Sequence, residues 1–241
     1  MLVTGGSRGL GLAIARVLAA AGYRAIAIAR TESLELEAAA AAARASGPGA
    51  IEFRSCDLSE ISRIAPLVRT LRAEFGAIYG LVNNAGLGTA GMLGTMRDKD
   101  IESLVRLNTL SPITLTKYVM RSMMAQGEGR IVNIASIVAS TGFPGLSVYS
   151  ATKASLVGFT RSLAREIGQL GITVNAIAPG FIDTAMTGEL SPAQREQIAR
   201  RSALKRMADP EDVARSVEFL LGAGARNITG IVLTVDAGNT V

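Results

Sequence analysis

Apolar runs of three to eight residues alternate along the chain with longer segments whose apolar positions recur at helical spacing. The runs 2–4, 24–29, 51–55, 78–83, 131–135, 172–178 and 231–235 read as strands. Between them, 10–21, 33–44, 61–75, 99–125, 149–170 and 210–221 read as helices, with a break in the fourth near Ser111-Pro112. Asp209 is placed to cap the last helix and Pro210 to occupy its first turn. The strands lack strict alternation; Ile131-Val132-Asn133-Ile134 suits a strand covered on both faces. Repeated β–α–β order then predicts an α/β fold: a doubly wound parallel sheet of about seven strands, with helices on both faces in a three-layer sandwich. Residues 1–241 read as one domain without a linker, interrupted by an irregular insertion over about 184–207.

Composition narrows the chemistry. Hydrophobic residues make up 49% of the 241 positions, so membrane insertion has to be weighed. Two stretches, Gly76–Met96 and Ile131–Thr152, carry no charge, but Asn, Gly, Ser or Pro interrupt both. Those residues suit turns and polar sites better than lipid, so no membrane span and no targeting segment is expected. The single cysteine, Cys56, allows no intrachain disulfide and fits a reducing cytoplasm. With no histidine, His-based triads and His-containing zinc sites are excluded, and no metal site is expected. Acid–base work near neutrality falls to a perturbed Tyr, Lys, Cys, Asp or Glu. The net charge of +5 is spread along the chain, which gives no nucleic-acid footprint but suits anionic ligands.

Between the first strand and the first helix lies Thr4-Gly5-Gly6-Ser7-Arg8-Gly9-Leu10-Gly11. Gly5 and Gly6 permit a tight turn; Gly9 and Gly11 let backbone amides and the helix start approach a pyrophosphate. In dinucleotide folds the end of the second strand meets the adenosine ribose. Here it reads Ala29-Arg30-Thr31, and Arg30 with Arg8 can clamp a 2′-phosphate, which favours NADP over NAD. Glu32 is expected to open the next helix, where an acid suits the dipole.

Tyr149 and Lys153 stand four residues apart on a predicted helix and share a face. An ammonium ~4–5 Å from the phenol, at an effective dielectric of ~20, favours tyrosinate by roughly 3–4 kcal/mol. That brings a phenol of pKa ~10 toward neutrality and makes it a proton carrier. Ser136 follows the strand 131–135 at its C-terminal end, where ligands bind in such sheets.

With these residues the chain resembles the classical short-chain dehydrogenase/reductases, a Rossmann-type family, over essentially its full length. The segments that carry the resemblance are Thr4–Gly11, Cys56-Asp57-Leu58, Asn83-Asn84-Ala85-Gly86, Asn108, Ser136, Tyr149-Ser150-Ala151-Thr152-Lys153 and Pro179-Gly180-Phe181-Ile182-Asp183-Thr184. The resemblance implies a catalytic set of Ser136, Tyr149, Lys153 and Asn108. Ser136 and Tyr149 would bind the carbonyl oxygen, Tyr149 would donate the proton, Lys153 would hold the nicotinamide ribose, and Asn108 would hold a water of the proton relay. It further implies cofactor contacts from Gly5, Ser7, Arg8, Gly9, Leu10, Gly11, Arg30, Asp57, Leu58, Asn84, Ala85, Gly86, Pro179, Gly180, Ile182 and Thr184, with Asp57 on adenine and Ile182 and Thr184 at the carboxamide.

Within the family the chain looks most like the 3-oxoacyl-[acyl-carrier-protein] reductases of fatty acid biosynthesis. This implies an NADP(H)-dependent cytoplasmic reductase of an acyl thioester and a homotetramer paired through the helices 99–125 and 149–170. Where such reductases often carry basic residues for their carrier protein, this chain reads Ala125-Gln126-Gly127-Glu128 and Gly168-Gln169-Leu170. A CoA thioester therefore stands beside a carrier-protein substrate, and a sugar, polyol, steroid or other small ketone stands as a second reading. A sensor that binds NADP without turnover is the third. The basic run Arg195–Arg206 is either a contact for a phosphopantetheine or CoA phosphate or a solvated helix face balanced by Glu189, Glu196 and Glu211. Met1 falls within the first strand, so either that strand is short or the sequence begins downstream of the natural start.

Overall fold

The computed structural model describes residues 1–88, 90–182 and 191–241. Seven parallel strands form one sheet in the order β3-β2-β1-β4-β5-β6-β7. They are β1 (Leu2–Thr4), β2 (Arg24–Ala29), β3 (Ala50–Ser55), β4 (Gly80–Asn83), β5 (Gly129–Ile134), β6 (Ile172–Pro179) and β7 (Val232–Val235). The helices are α1 (Gly9–Ala20), α2 (Leu34–Ser46), α3 (Ile64–Phe75), α4 (Asp98–Val105), α5 (Ser111–Gln126), α6 (Ser147–Ile167), α7 (Pro192–Arg201) and α8 (Pro210–Leu221). All seven expected strands are present, each within two residues of its predicted ends.

Both faces of the sheet are covered. Val3, Ala27, Val82, Val132 and Ile177 meet α1, α2 and α8 on one side. Leu2, Ile26, Leu81, Ile131 and Val174 meet α3, α5 and α6 on the other. Successive strand residues thus enter opposite cores, which is why polar alternation is missing. Full burial of each such Val, Leu or Ile contributes about 1.5–3 kcal/mol. One polar ladder crosses the second core. Asn83 Nδ2 donates to Asn133 Oδ1 at 2.8 Å and to Thr116 Oγ1 at 3.0 Å, and Asn133 Nδ2 donates to Thr160 Oγ1 at 2.9 Å. Asn83 and Asn133 are register partners on β4 and β5, so the ladder fastens the sheet to α5 and α6.

The long helix 99–125 is interrupted earlier than its Ser-Pro step suggested. A π turn spans Arg106–Leu110 and carries Asn108, and Pro112 sits harmlessly in the first turn of α5. Within the irregular insertion, α7 starts at a reciprocal cap: Ser191 Oγ accepts from Gln194 N at 3.3 Å, and Gln194 Oε1 accepts from Ser191 N at 2.8 Å. Ser33, not Glu32, caps α2, accepting from Leu36 N at 3.2 Å. The acids of that first turn are Glu35 and Glu37, so Glu32 lies outside the helix it was expected to open. Asp209 caps α8 as expected, its own amide donating to Asp212 at 3.0 Å.

Candidate active site

From β1 the chain winds outward to β3, then crosses back to β4, so the connections leaving β1 and β4 diverge. The crevice between their C-terminal ends is where ligands enter sheets of this kind. Thr4 closes its floor. Its Oγ1 accepts from Asn84 N and Ala85 N, both at 2.9 Å, and donates to Val82 O at 3.2 Å. Asn84 Nδ2 reaches back to Thr4 O at 2.8 Å. Thr4 was visible as part of the glycine motif, but its role as the bolt between the two strand ends was not.

The glycines divide their work differently from the sequence expectation. Gly5 (φ +67°) and Gly9 (φ +53°) make the left-handed bends of the turn. Gly6 clears β2: a Cβ there would stand 2.7 Å from Ala27 Cβ. Gly11 was assigned to phosphate approach, yet a Cβ on it would lie 2.1 Å from Gly5 O and 2.6 Å from Asn84 Nδ2. Its first requirement is close seating of α1 against the turn. The helix start suits an anion. Its first turn holds no acidic residue, and the N-cap Arg8 makes no side-chain cap bond, which leaves the leading amides facing the crevice with a basic residue beside them. Ser33 Oγ steadies the turn by donating to Ser7 O at 2.5 Å.

Arg30 is exposed at the end of β2, and its carbonyl accepts from Ser55 Oγ at 2.7 Å. Asp57, beyond β3, is held below the usual carboxylate range, first by the Ser59 hydroxyl at 2.7 Å and also by the Ser59 amide and the nearby Arg30 charge. Leu58 is buried beneath it. These residues therefore border the same edge as the glycine turn.

Lys153 is 5% exposed and donates from Nζ to Ile134 O at 2.8 Å. Burial depresses its ammonium to about 8. Nζ lies 5.7 Å from the centroid of the Tyr149 ring, so the two side chains share a face as the spacing required. The electrostatic expectation is corrected. Burial raises the Tyr149 phenol, and the Ser136 hydroxyl, within hydrogen-bonding reach, opposes that shift only in part. The ammonium points at a main-chain carbonyl rather than at the phenolic oxygen, and desolvation disfavours tyrosinate before any second cation arrives.

Asn108, 1% exposed, spends its side chain on a loop. Oδ1 accepts from Leu87 N at 2.8 Å, and Nδ2 donates to Leu87 O at 2.8 Å and to Thr152 Oγ1 at 3.2 Å. This clamp holds the chain after β4 against α6. Gly86 is the point of closest approach: a Cβ there would lie 3.2 Å from Asn108 Oδ1 and 3.6 Å from Lys153 Nζ. Thr152, which the sequence reading left without a role, links Asn108 to Tyr149 O, the latter at 2.7 Å. On the far side, Gly180 N donates to Val235 O at 2.9 Å, and Ile182 is buried in a short bridge with Ala208. Asp183, Thr184 and Glu189 lie outside the described residues.

Part of the basic run beyond them is ion-paired within the protein. Arg200 pairs with Glu196 at 2.6 Å. Arg206 pairs with Asp212 at 3.7 Å, while Glu211 is taken by Arg215.

A crevice at the strand switch, a glycine turn at a helix N-terminus, and a Ser-Tyr-Lys set beside them define a dinucleotide-dependent oxidoreductase. The sequence matches the family described as short chain dehydrogenase over residues 1–195, and the chain belongs to that family. It is 40% identical over 237 residues to the 3-oxoacyl-[acyl-carrier-protein] reductase FabG of Escherichia coli, covering 98% of this chain and 95% of that one. The same named reductase of Pseudomonas aeruginosa is 40% identical over 239 residues, with the same coverage of 98% and 95%. Among solved structures, a doubly substituted variant of a Serratia marcescens short-chain dehydrogenase/reductase superposes with a TM-score of 0.92 at 33% identity, covering 100% of this chain and 97% of that one. The protein is thus an oxidoreductase acting on CH–OH or C=O groups with a nicotinamide cofactor. No helix among the described residues is long and apolar enough to cross a membrane.

Proposed function

We propose that the enzyme reduces a 3-oxoacyl thioester, carried on acyl carrier protein or on CoA, to the 3-hydroxyacyl form with NADPH. The observation that carries the reading is the convergence of Ser136, Tyr149 and Lys153 beside an uncapped helix start, within a chain so similar to named 3-oxoacyl reductases. Arg8 and Arg30 flank the ribose edge and favour the 2′-phosphate. Gly5 through Gly11, Asp57, Leu58, Asn84 to Gly86, Pro179, Gly180 and Ile182 border the remaining length of the dinucleotide.

When bound, NADPH would supply the hydride. Ser136 and Tyr149 hold the substrate oxygen, and Tyr149 passes its proton to that oxygen as negative charge develops there. Because burial lifts the phenol, Tyr149 waits in its protonated form, which is the form a reductase needs. Lys153 holds the ribose and keeps a positive charge behind the phenol at neutral pH. Asn108 serves the relay by fixing the loop at Leu87. Subunits pair through α4, α5 and α6 into a homotetramer, with Val105, Leu110 and Met124 exposed for that contact.

Steady-state assays with acetoacetyl-CoA and a 3-oxoacyl carrier protein, each with NADPH and NADH, test the reading. Turnover of a thioester with NADPH preferred is expected, and no oxidation with either substrate would overturn it. Light scattering tests the tetramer, and a monomer at working concentration would refute it.

A further inference from the structure

The two uncharged stretches, Gly76–Met96 and Ile131–Thr152, do not end with their strands. Each continues into a loop at the mouth of the crevice: the chain after β4 and the chain between Ser136 and Tyr149. The loops join where Gly91 N donates to Gly145 O at 2.9 Å. Leu87, Met92 and Leu93 stand exposed on the first, and Phe143, 48% exposed, on the second. From the loop after β6, Phe181 closes against Phe143 with ring centroids 5.8 Å apart and planes tilted by 60°. Three loops that follow three adjacent strands, the second of them leading into α6 and Tyr149, therefore present apolar side chains together, with no charged residue on the first two.

We infer that this lip binds an uncharged, apolar substituent of the substrate, and that Phe143, seated on Phe181, sets the preference for its length. This rests on the proposed reduction of a 3-oxoacyl thioester and adds which thioesters are favoured: those with an extended hydrocarbon tail over the shortest. An exposed aromatic pair has no hydrogen bonds to offer a polyol, whereas each methylene removed from water against it strengthens transition-state binding. The sequence signal was the missing charge, which the membrane question had drawn attention to for another reason.

The test measures kcat/KM with NADPH for N-acetylcysteamine thioesters of 3-oxoacids of increasing length, and for methyl ketones of matching length. Wild type is compared with Phe143→Ser and Phe143→Leu. In wild type, each added methylene is expected to raise kcat/KM about two- to fourfold until the lip is filled. Phe143→Ser should lower the long-to-short ratio by about tenfold, and Phe143→Leu should restore most of it. A profile flat with length in wild type, or the same loss at every length in both variants, overturns the inference. Should Phe143→Ser fail to fold, the ratio for Phe143→Leu against Phe143→Ala decides by the same criterion. If no thioester is reduced, the 3-oxoacyl reading fails by itself, and the slope across the methyl ketones still decides the lip.

Discussion

Lys153 should cost the ligand-free protein stability, and replacing it with Met should reveal how much. Burial moves its ammonium from an ordinary 10.5 to about 8. At ~1.4 kcal/mol per pH unit, folding with the charged lysine at pH 7 costs about 3 kcal/mol. Met fills a similar volume without charge. It also leaves Ile134 O without the 2.8 Å bond it accepts, which gives back about 1–2 kcal/mol. The expected net gain for Lys153→Met at pH 7 is about 1–2 kcal/mol. The pH dependence follows from proton counting. Between about 8 and 10.5 the unfolded wild-type chain binds more protons than the folded one, so wild-type stability climbs with pH through that window. The variant has no such contribution, so its advantage should vanish by about pH 10. Urea unfolding of both proteins without cofactor, at fixed protein concentration and at pH 7, 8, 9 and 10, reads this directly. A variant less stable than wild type at pH 7, with a gap unchanged up to pH 10, would refute the reasoning.

Three further outcomes are expected. Tyr149→Phe should lower kcat/KM by about 10²–10⁴ while leaving NADPH binding, followed by nicotinamide fluorescence, intact; an undiminished rate would remove the phenol from the chemistry. Arg30→Glu should weaken NADPH by about tenfold or more and NADH far less, measured as Kd for each; equal losses would place the 2′-phosphate elsewhere. Gly11→Ala puts a methyl 2.1 Å from Gly5 O, so it should destabilise by about 1–3 kcal/mol and abolish the melting shift that NADPH produces; a wild-type melt with a normal shift would contradict that geometry.

The positions of the strands were legible because buried parallel strands are nearly continuous apolar runs, and Ile131–Ala135 or Ile172–Ala178 can hardly be read otherwise. Tyr149 and Lys153 were legible because helical spacing alone puts them on one face. Their protonation was not. It depends on how deeply the fold buries the two side chains, which spacing does not show. Gly11 is a related case: sequence shows that a side chain is missing, not which neighbour demands it. The Asn83–Asn133 ladder was likewise unreadable, since two asparagines inside strands declare themselves partners only once register is known. Ser191 and Gln194 did carry the signature of a helix start, and α7 was there to be found.

The π turn at Arg106–Leu110 has a consequence for tolerance to length. A wider turn holds one residue more than a regular one, so the surfaces before and after it are rotated by about a hundred degrees relative to an unbroken rod. Excising a single amino acid there would tidy the hydrogen bonding and swing every side chain of α4 around the axis relative to α5. The amide now gripping Leu87 would turn away, and the loop it anchors would lose its tether. In this stretch the irregular geometry is what holds the loop, and a tidier helix would release it.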